Sequence, residues 1–167
     1  MSQADTPPPA PQGHTFDDVA AFADVLAASR RLIGIDAGTK TLGLALSDID
    51  CFIASPLETI QRTKFQADAT RLLQIATQHN VAGLVLGWPV NLDGTIGPRA
   101  QATRAFARNL NKLTPLPILL WDERLSTAEA ERMLISADAS RKRRADVIDK
   151  LAATIILQGA LDRMRRL

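Results

Sequence analysis

The chain has a single cysteine and only two histidines among its 167 residues. Cys51 alone cannot close an intrachain disulfide, and such sparse cysteine fits a reducing cytoplasm. A Cys/His zinc cluster is excluded as well, because one Cys and two His cannot fill four ligand positions. No apolar run approaches the roughly 20 residues that span a bilayer, so no membrane partner is expected. The start, Met1 to Pro11, has neither a basic head nor an apolar centre and does not read as a secretory signal. There is no internal repeat and no heptad, so nothing chooses between a monomer and a homodimer.

What remains is an ordinary soluble composition, 46% hydrophobic and 23% charged, at a length that suits one domain with a real core. Net charge is only +2, but it is unevenly spread. From Arg141 onward there are eight basic residues against three acids. Arg163 to Arg166 suit a solvated helix end. Arg141, Lys142, Arg143 and Arg144 stand in a row and favour a polyanionic partner such as nucleic acid.

Three parts are expected. Residues 1–13 form a Pro-rich disordered tail. Residues 14–30 form a helical extension, with Thr15 to Asp18 as a capping box and Val19, Phe22, Ala23 and Leu26 on one helix face. Residues 31–167 form the main domain. Within it, strands at Arg31–Asp36, Leu42–Ser47 and Phe52–Ile60 make an antiparallel meander, with Pro56 near an edge. A helix follows at Phe65–His79, then a strand at Val81–Leu86 and a turn-rich loop at Trp88–Pro98. A helix at Arg99–Leu113 buries Ala102, Phe106 and Leu110, and a strand covers Pro117–Trp121. Then come a helix at Ser126–Ile135, a basic loop at 136–144 and a final helix at Ala145–Met164. The fold class is α/β: a mixed five-stranded sheet, meander then β-α-β, flanked by helices.

Two of these strands end in acids. Leu32-Ile33-Gly34-Ile35 runs into Asp36, and Ile118-Leu119-Leu120-Trp121 runs into Asp122-Glu123-Arg124. A carboxylate at the end of a buried strand is costly unless something pairs with it. Alternation puts Asp122 and Glu123 on opposite faces, so only one of them can join Asp36. A third acid, Asp149, lies in the apolar pattern of the last helix, with Asp146 one turn earlier as a candidate fourth ligand. Plain turn acids or salt bridges would also account for each residue singly. Together Asp36, Glu123 and Asp149 read as a two-metal site for phosphodiester hydrolysis, with Mg²⁺ or Mn²⁺. Such a site needs no side-chain nucleophile, and His14 and His79 have no suitable neighbours. The loop supplies Asn91 and Arg99 as phosphate donors. Arg124 stands just ahead of a helix start at Ser126-Thr127, where free N–H groups favour anions. Gly-Ile-Asp-x-Gly-Thr also opens the two-lobed ATPases of the actin and sugar-kinase type, for which this chain is far too short.

Gly34-Ile35-Asp36-Ala37-Gly38-Thr39-Lys40, Leu86-Gly87-Trp88-Pro89-Val90-Asn91-Leu92-Asp93-Gly94-Thr95, Gly97-Pro98-Arg99-Ala100, Asp122-Glu123-Arg124-Leu125-Ser126-Thr127 and Ile148-Asp149-Lys150-Leu151 occur in this order. Together they resemble the YqgF/RuvX family, from about Leu32 to Leu161. The resemblance implies an RNase H-like fold related to the RuvC resolvase. It implies a nuclease that trims the 5′ end of precursor 16S rRNA in ribosome biogenesis, with Holliday junction cleavage as an older inference. It places the family's acids on Asp36, Glu123 and Asp149, and adds Lys40 to the nucleic-acid contacts Asn91, Arg99, Arg124 and Arg141 to Arg144. The alternatives are a DNA junction resolvase using the same acids, and a non-catalytic nucleic-acid-binding module.

Overall fold

Leu32 to Ile35, Leu84 to Leu86 and Ile118 to Leu120 are apolar on both sides of the strand, which suits strands covered on both faces. The computed structural model describes residues 13–125 and 141–167, the side chains of 141–149 excepted. Its elements are β1 (Thr15–Phe16), α1 (Val19–Asp24), β2 (Arg31–Ala37), β3 (Thr41–Ser47), β4 (Ala54–Gln61), α2 (Phe65–Gln78), β5 (Val81–Trp88), α3 (Pro98–Asn111), β6 (Ile118–Asp122), a 3₁₀ turn (Glu123–Leu125) and α4 (Arg141–Arg165).

The described strands form one sheet in the order β1-β6-β5-β2-β3-β4. β2, β3 and β4 make the antiparallel meander, while β5 is parallel to β2 and β6 is parallel to β5. Pro56 lies in β4, the edge strand, opposite a bulge between Leu44 and Ala45. The missing N–H of proline costs least there.

The expectation of five strands is corrected to six. Thr15 and Phe16 pair in parallel with Ile118 and Leu119. The capping box is corrected with it: Asp18, not Thr15, caps α1, accepting from the Ala20 N–H. Residues 14–30 therefore supply an edge strand and a short helix to the same core. Gly13 is buried too, its N–H donating to the Asn111 carbonyl. The expected loop at 141–144 is a further correction, because α4 already begins at Arg141. Lys and Arg are good helix formers, and nothing in that run breaks a helix. The rest of that loop and the helix at 126–135 lie outside the described residues.

One face of the sheet packs Ile33, Ile35, Leu84, Leu86, Ile118 and Leu120 under α2 and α3. Leu72, Ile75 and Ala76 of α2 face inward while Leu73 is only half-buried, and Ala102 of α3, expected inward, is exposed. The inward face of α3 is Ala100, Thr103, Phe106, Ala107 and Leu110. The other face packs Leu32, Val85, Leu119 and Trp121 against Phe22 of α1 and Ala153, Ile156, Leu157 and Ala160 of α4. Burying each such Leu or Ile is worth roughly 1.5–3 kcal/mol.

The placement of α4 fixes the site. A Cβ on Gly34 would stand 2.6 Å from the Leu157 Cβ and 2.8 Å from the Ala153 carbonyl, so α4 lies directly on β2. Gln158 holds the far half of α4: it accepts from the Ala54 N–H (2.8 Å) and donates to the Phe52 carbonyl (3.0 Å). Ala54 is in register with Ser47, whose hydroxyl accepts from the Leu32 N–H at the start of β2. The helix therefore runs against β2, and its earlier turns lie toward Asp36.

Candidate active site

Asp36 is two residues beyond Gly34 on β2, hence on the α4 face, and it is half-buried. Pairing of Ile35 with Leu86 puts Gly87 beside Asp36 on the next strand, and Gly87 is in turn level with Trp121 of β6. Glu123 leaves β6 two residues after Trp121 and turns its carboxylate back over Gly87. A Cβ at Gly87 would stand 2.6 Å from Glu123 Oε1. Three adjacent strands thus deliver an acid, a gap and an acid.

The electrostatics record this closeness. Burial pushes the Glu123 carboxyl above its ordinary range, and the charge of Asp36 pushes it further. Arg99, at the start of α3, pulls it partly back, and Asp122 adds a smaller push. Two carboxylates that each disfavour ionisation of the other make a place where a cation is welcome. Among the described residues no group of three or more metal-ligating side chains assembles, so this pair needs a further donor.

Position 149 of α4 is one turn before Ala153. Four helical residues advance ~6 Å, and the two strand residues from Gly34 to Asp36 advance ~6.6 Å. Position 149 therefore lies further along α4 than Ala153, toward the Asp36 end of β2. The side chains of Asp149, Asp146, Arg141, Lys142, Arg143 and Arg144 lie outside the described residues.

Asp122 points elsewhere, as strand alternation requires. Arg124 holds it: Nη2 donates to Oδ2 at 2.6 Å, Nε donates at 3.0 and 3.1 Å, and the Arg124 N–H donates at 2.9 Å. These bonds hold the Asp122 carboxyl below its ordinary range. The guanidinium of Arg124 is thus already engaged by a carboxylate.

The loop after β5 folds on itself. The Asn91 amide donates to the Thr95 hydroxyl at 2.9 Å, and Asp93 accepts from both the N–H and the hydroxyl of Thr95. Gly94 takes a φ of +88°, where a side chain would be strained. Trp88 anchors the loop to α3, its indole N–H donating to the Ala100 carbonyl at 3.1 Å. Lys40 is exposed in the β2–β3 turn. That turn is clamped by Arg62, which donates to the Gly38 carbonyl at 2.6 Å and lies 3.9 Å from the buried Asp68. His14 is exposed, and its carbonyl accepts from the Ile118 N–H in the edge strand.

Gly87 does not stand out in the sequence, where it merges with the turn-rich segment that follows. A glycine inside an apolar strand run is the signal that could have found it, since it marks a close approach. Arg62 and Asp68 carry no comparable signal, because their meeting depends on how β4 and α2 pack.

The family model described as RuvX, Holliday junction resolvase, matches residues 30–163. A Paracoccus denitrificans protein named "Putative pre-16S rRNA nuclease" is 60% identical over 149 residues, covering 89% of this chain and 94% of that one. A Beijerinckia indica protein of the same name is 61% identical over 140 residues, covering 84% and 85%. Among solved structures, RuvC of T. thermophilus in complex with a Holliday junction substrate superposes with a TM-score of 0.52 at 15% identity, covering 81% of this chain and 96% of that one. The yeast mitochondrial Holliday junction resolvase gives 0.50 at 12%, covering 89% and 85%. At such low identity these two likenesses speak to the fold, which is the RNase H-like fold of RuvC.

Proposed function

Because the chain belongs to the RuvX family, we propose that it is a divalent-metal-dependent endonuclease whose substrate is precursor 16S rRNA, cut at its 5′ side during ribosome assembly in the cytoplasm. The observation that supports metal-dependent cleavage is the meeting of Glu123 and Asp36 across Gly87, with Glu123 held above its ordinary ionisation range by burial and by Asp36, and the rRNA substrate is supported by the names of the relatives. A buried acid pair of this kind is unfavourable by itself and is relieved by a cation. The missing side chain at Gly87 is what lets Glu123 lie across β5 toward Asp36.

Asp36, Glu123 and Asp149 would hold the ion, with Asp146 as a further oxygen donor. A divalent ion held there, Mg²⁺ or Mn²⁺, singly or as a pair, would supply activation of water and neutralisation of charge on the leaving oxygen. The protein's own part is to fix the carboxylates on rigid strands and a packed helix, so little reorganisation is needed. Arg99 offsets the negative field at Glu123. Lys40, Asn91 and the run Arg141 to Arg144 supply further donors for the nucleic-acid backbone. Arg124 is taken up by Asp122 beside the turn that carries Glu123.

The family description and the RuvC-like fold favour a second reading, cleavage of a four-way DNA junction. One assay decides: precursor 16S RNA and a four-way junction are offered side by side with Mg²⁺ or Mn²⁺. Cleavage of the RNA at its 5′ precursor segment is expected. Symmetric cutting of the junction, with the RNA left intact, would transfer the assignment to DNA. Binding without cleavage under every metal would make the chain a binding module.

A further inference from the structure

On the far side of β6 from Glu123, a pocket of about 290 Å³ opens between α3 and β1. It is lined by Thr15, Asp17, Arg104, Arg108, Asn111 and Leu120. Arg104 and Arg108 lie one helical turn apart on α3, and neither forms an ion pair among the described residues. Like charges at that spacing repel each other, and an anion between them relieves both. Arg104 is held in place: its guanidinium lies 4.8 Å from the centre of the Trp88 ring, and the Trp88 indole is tied to the Ala100 carbonyl. Stacking occupies a face of the guanidinium and leaves its N–H edge available to an oxyanion. Asn111 is fixed as well, donating to the Thr15 hydroxyl at 2.6 Å.

The position relative to the acids matters. Trp88 is level with Asp122, the residue before Glu123, and Leu120 is three residues before Glu123 on β6. Three strand residues span roughly 10 Å. A strand crossing the carboxyl ends of β2, β5 and β6 and turning past the end of β1 would lay a nearby phosphate at this pocket.

We propose that the pocket between α3 and β1 is a phosphate subsite, in which Arg104 and Arg108 hold the backbone of a single-stranded segment of the substrate away from the scissile bond. The assignment rests on the nuclease reading of Asp36 and Glu123. Asp17 is the opposing charge in the pocket, so its neutralisation should act with the opposite sign.

The test is equilibrium binding of a single-stranded RNA oligonucleotide over a salt series with the metal chelated, together with KM for cleavage in Mg²⁺. Variants are R108Q, R104Q/R108Q and D17N. R108Q leaves the Trp88 stack untouched, so it stays informative if the double variant unfolds. Removing one cation that neutralises a phosphate should lower the slope of log affinity against log salt by about 0.7. The double variant is therefore expected to shift the slope by between about 0.7 and 1.4, with KM raised. D17N should bind more tightly. Unchanged affinity and slope in R108Q, with D17N also neutral, would overturn the subsite. Inorganic phosphate that binds in an Arg108-dependent way, while oligonucleotide affinity ignores Arg108, would assign the pocket to a free anion and overturn it as well. A wild-type protein that binds neither RNA nor DNA would instead sink the nuclease reading itself.

Discussion

Glu123 carries its carboxylate over Gly87, so close that a single added methyl would stand 2.6 Å from Oε1. The same methyl would come closer still to Cδ1 of Ile156 on α4. Gly87→Ala must therefore displace the Glu123 carboxylate and the end of the Ile156 side chain. Overpacking of this kind costs about 1–3 kcal/mol. Cleavage should fall further than stability explains, because Glu123 would be moved off the line to Asp36. Thermal melting and kcat on the same preparation check this. Full activity in Gly87→Ala would show that the gap has no part in placing Glu123.

Glu123 also sets a pH dependence. Its folded-state pKa is raised above the ordinary 4.5 by burial and by Asp36. A raised folded value means that the folded state holds the proton more tightly. Its contribution to stability is present below about 4.5 and is lost as pH rises through the folded value. Metal-free Glu123→Gln should therefore be more stable than wild type at neutral pH, and the difference should shrink as pH falls below the ordinary Glu range. Denaturant titrations at two pH values measure it. A Glu123→Gln variant less stable than wild type at pH 7 would contradict the buried acid pair.

The neighbouring acid behaves in the opposite way. Asp122 is held low by its hydrogen bonds to Arg124, so its contribution is present at neutral pH and is lost as pH falls through its folded value. The pair is partly exposed, at 37% for Arg124 and 23% for Asp122, so solvent screening keeps its contribution small. Asp122→Asn should lose part of that and keep most cleavage, whereas Glu123→Gln should lose cleavage almost entirely. Parallel rate measurements separate the two residues, and equal losses would undo the strand-alternation argument.

Much of this is legible in the residues. Leu32 to Ile35 and Ile118 to Trp121 announce buried strands, and period-two alternation is enough to part Glu123 from Asp122. The edge strand Thr15–Phe16 is not legible, because two residues carry no periodicity and their pairing with Ile118 depends on a chain turn made elsewhere. Arg141 to Arg144 look like a loop because a charge run shows no apolar stripe, although Lys and Arg extend helices well. Ala102, Phe106 and Leu110 are spaced by four, a step that drifts about 40° off one helix face each time, and Thr103, three before Phe106, occupies the inward face instead. The gap at Gly87 requires knowing that β5 lies between β2 and β6, which is a property of the sheet order and not of any local segment.

The third acid separates an enzyme from a binding module. Position 149 lies one turn before Ala153 on the helix that covers Gly34, toward the Asp36 end of β2. Asp149→Asn keeps the shape and removes one negative charge. If Asp149 completes the ligand set, hydrolysis should be lost while affinity for nucleic acid is kept or increased, because a charge that repels phosphate has gone. Asp36→Asn should behave alike, and the double variant should lose little more than either single one, since ligands of one site act as a unit. Metal affinity, followed by the heat of Mn²⁺ binding, should fall in all three. Asp149→Asn cleaving at the wild-type rate would remove this residue from the site and leave Asp36 and Glu123 in need of another partner.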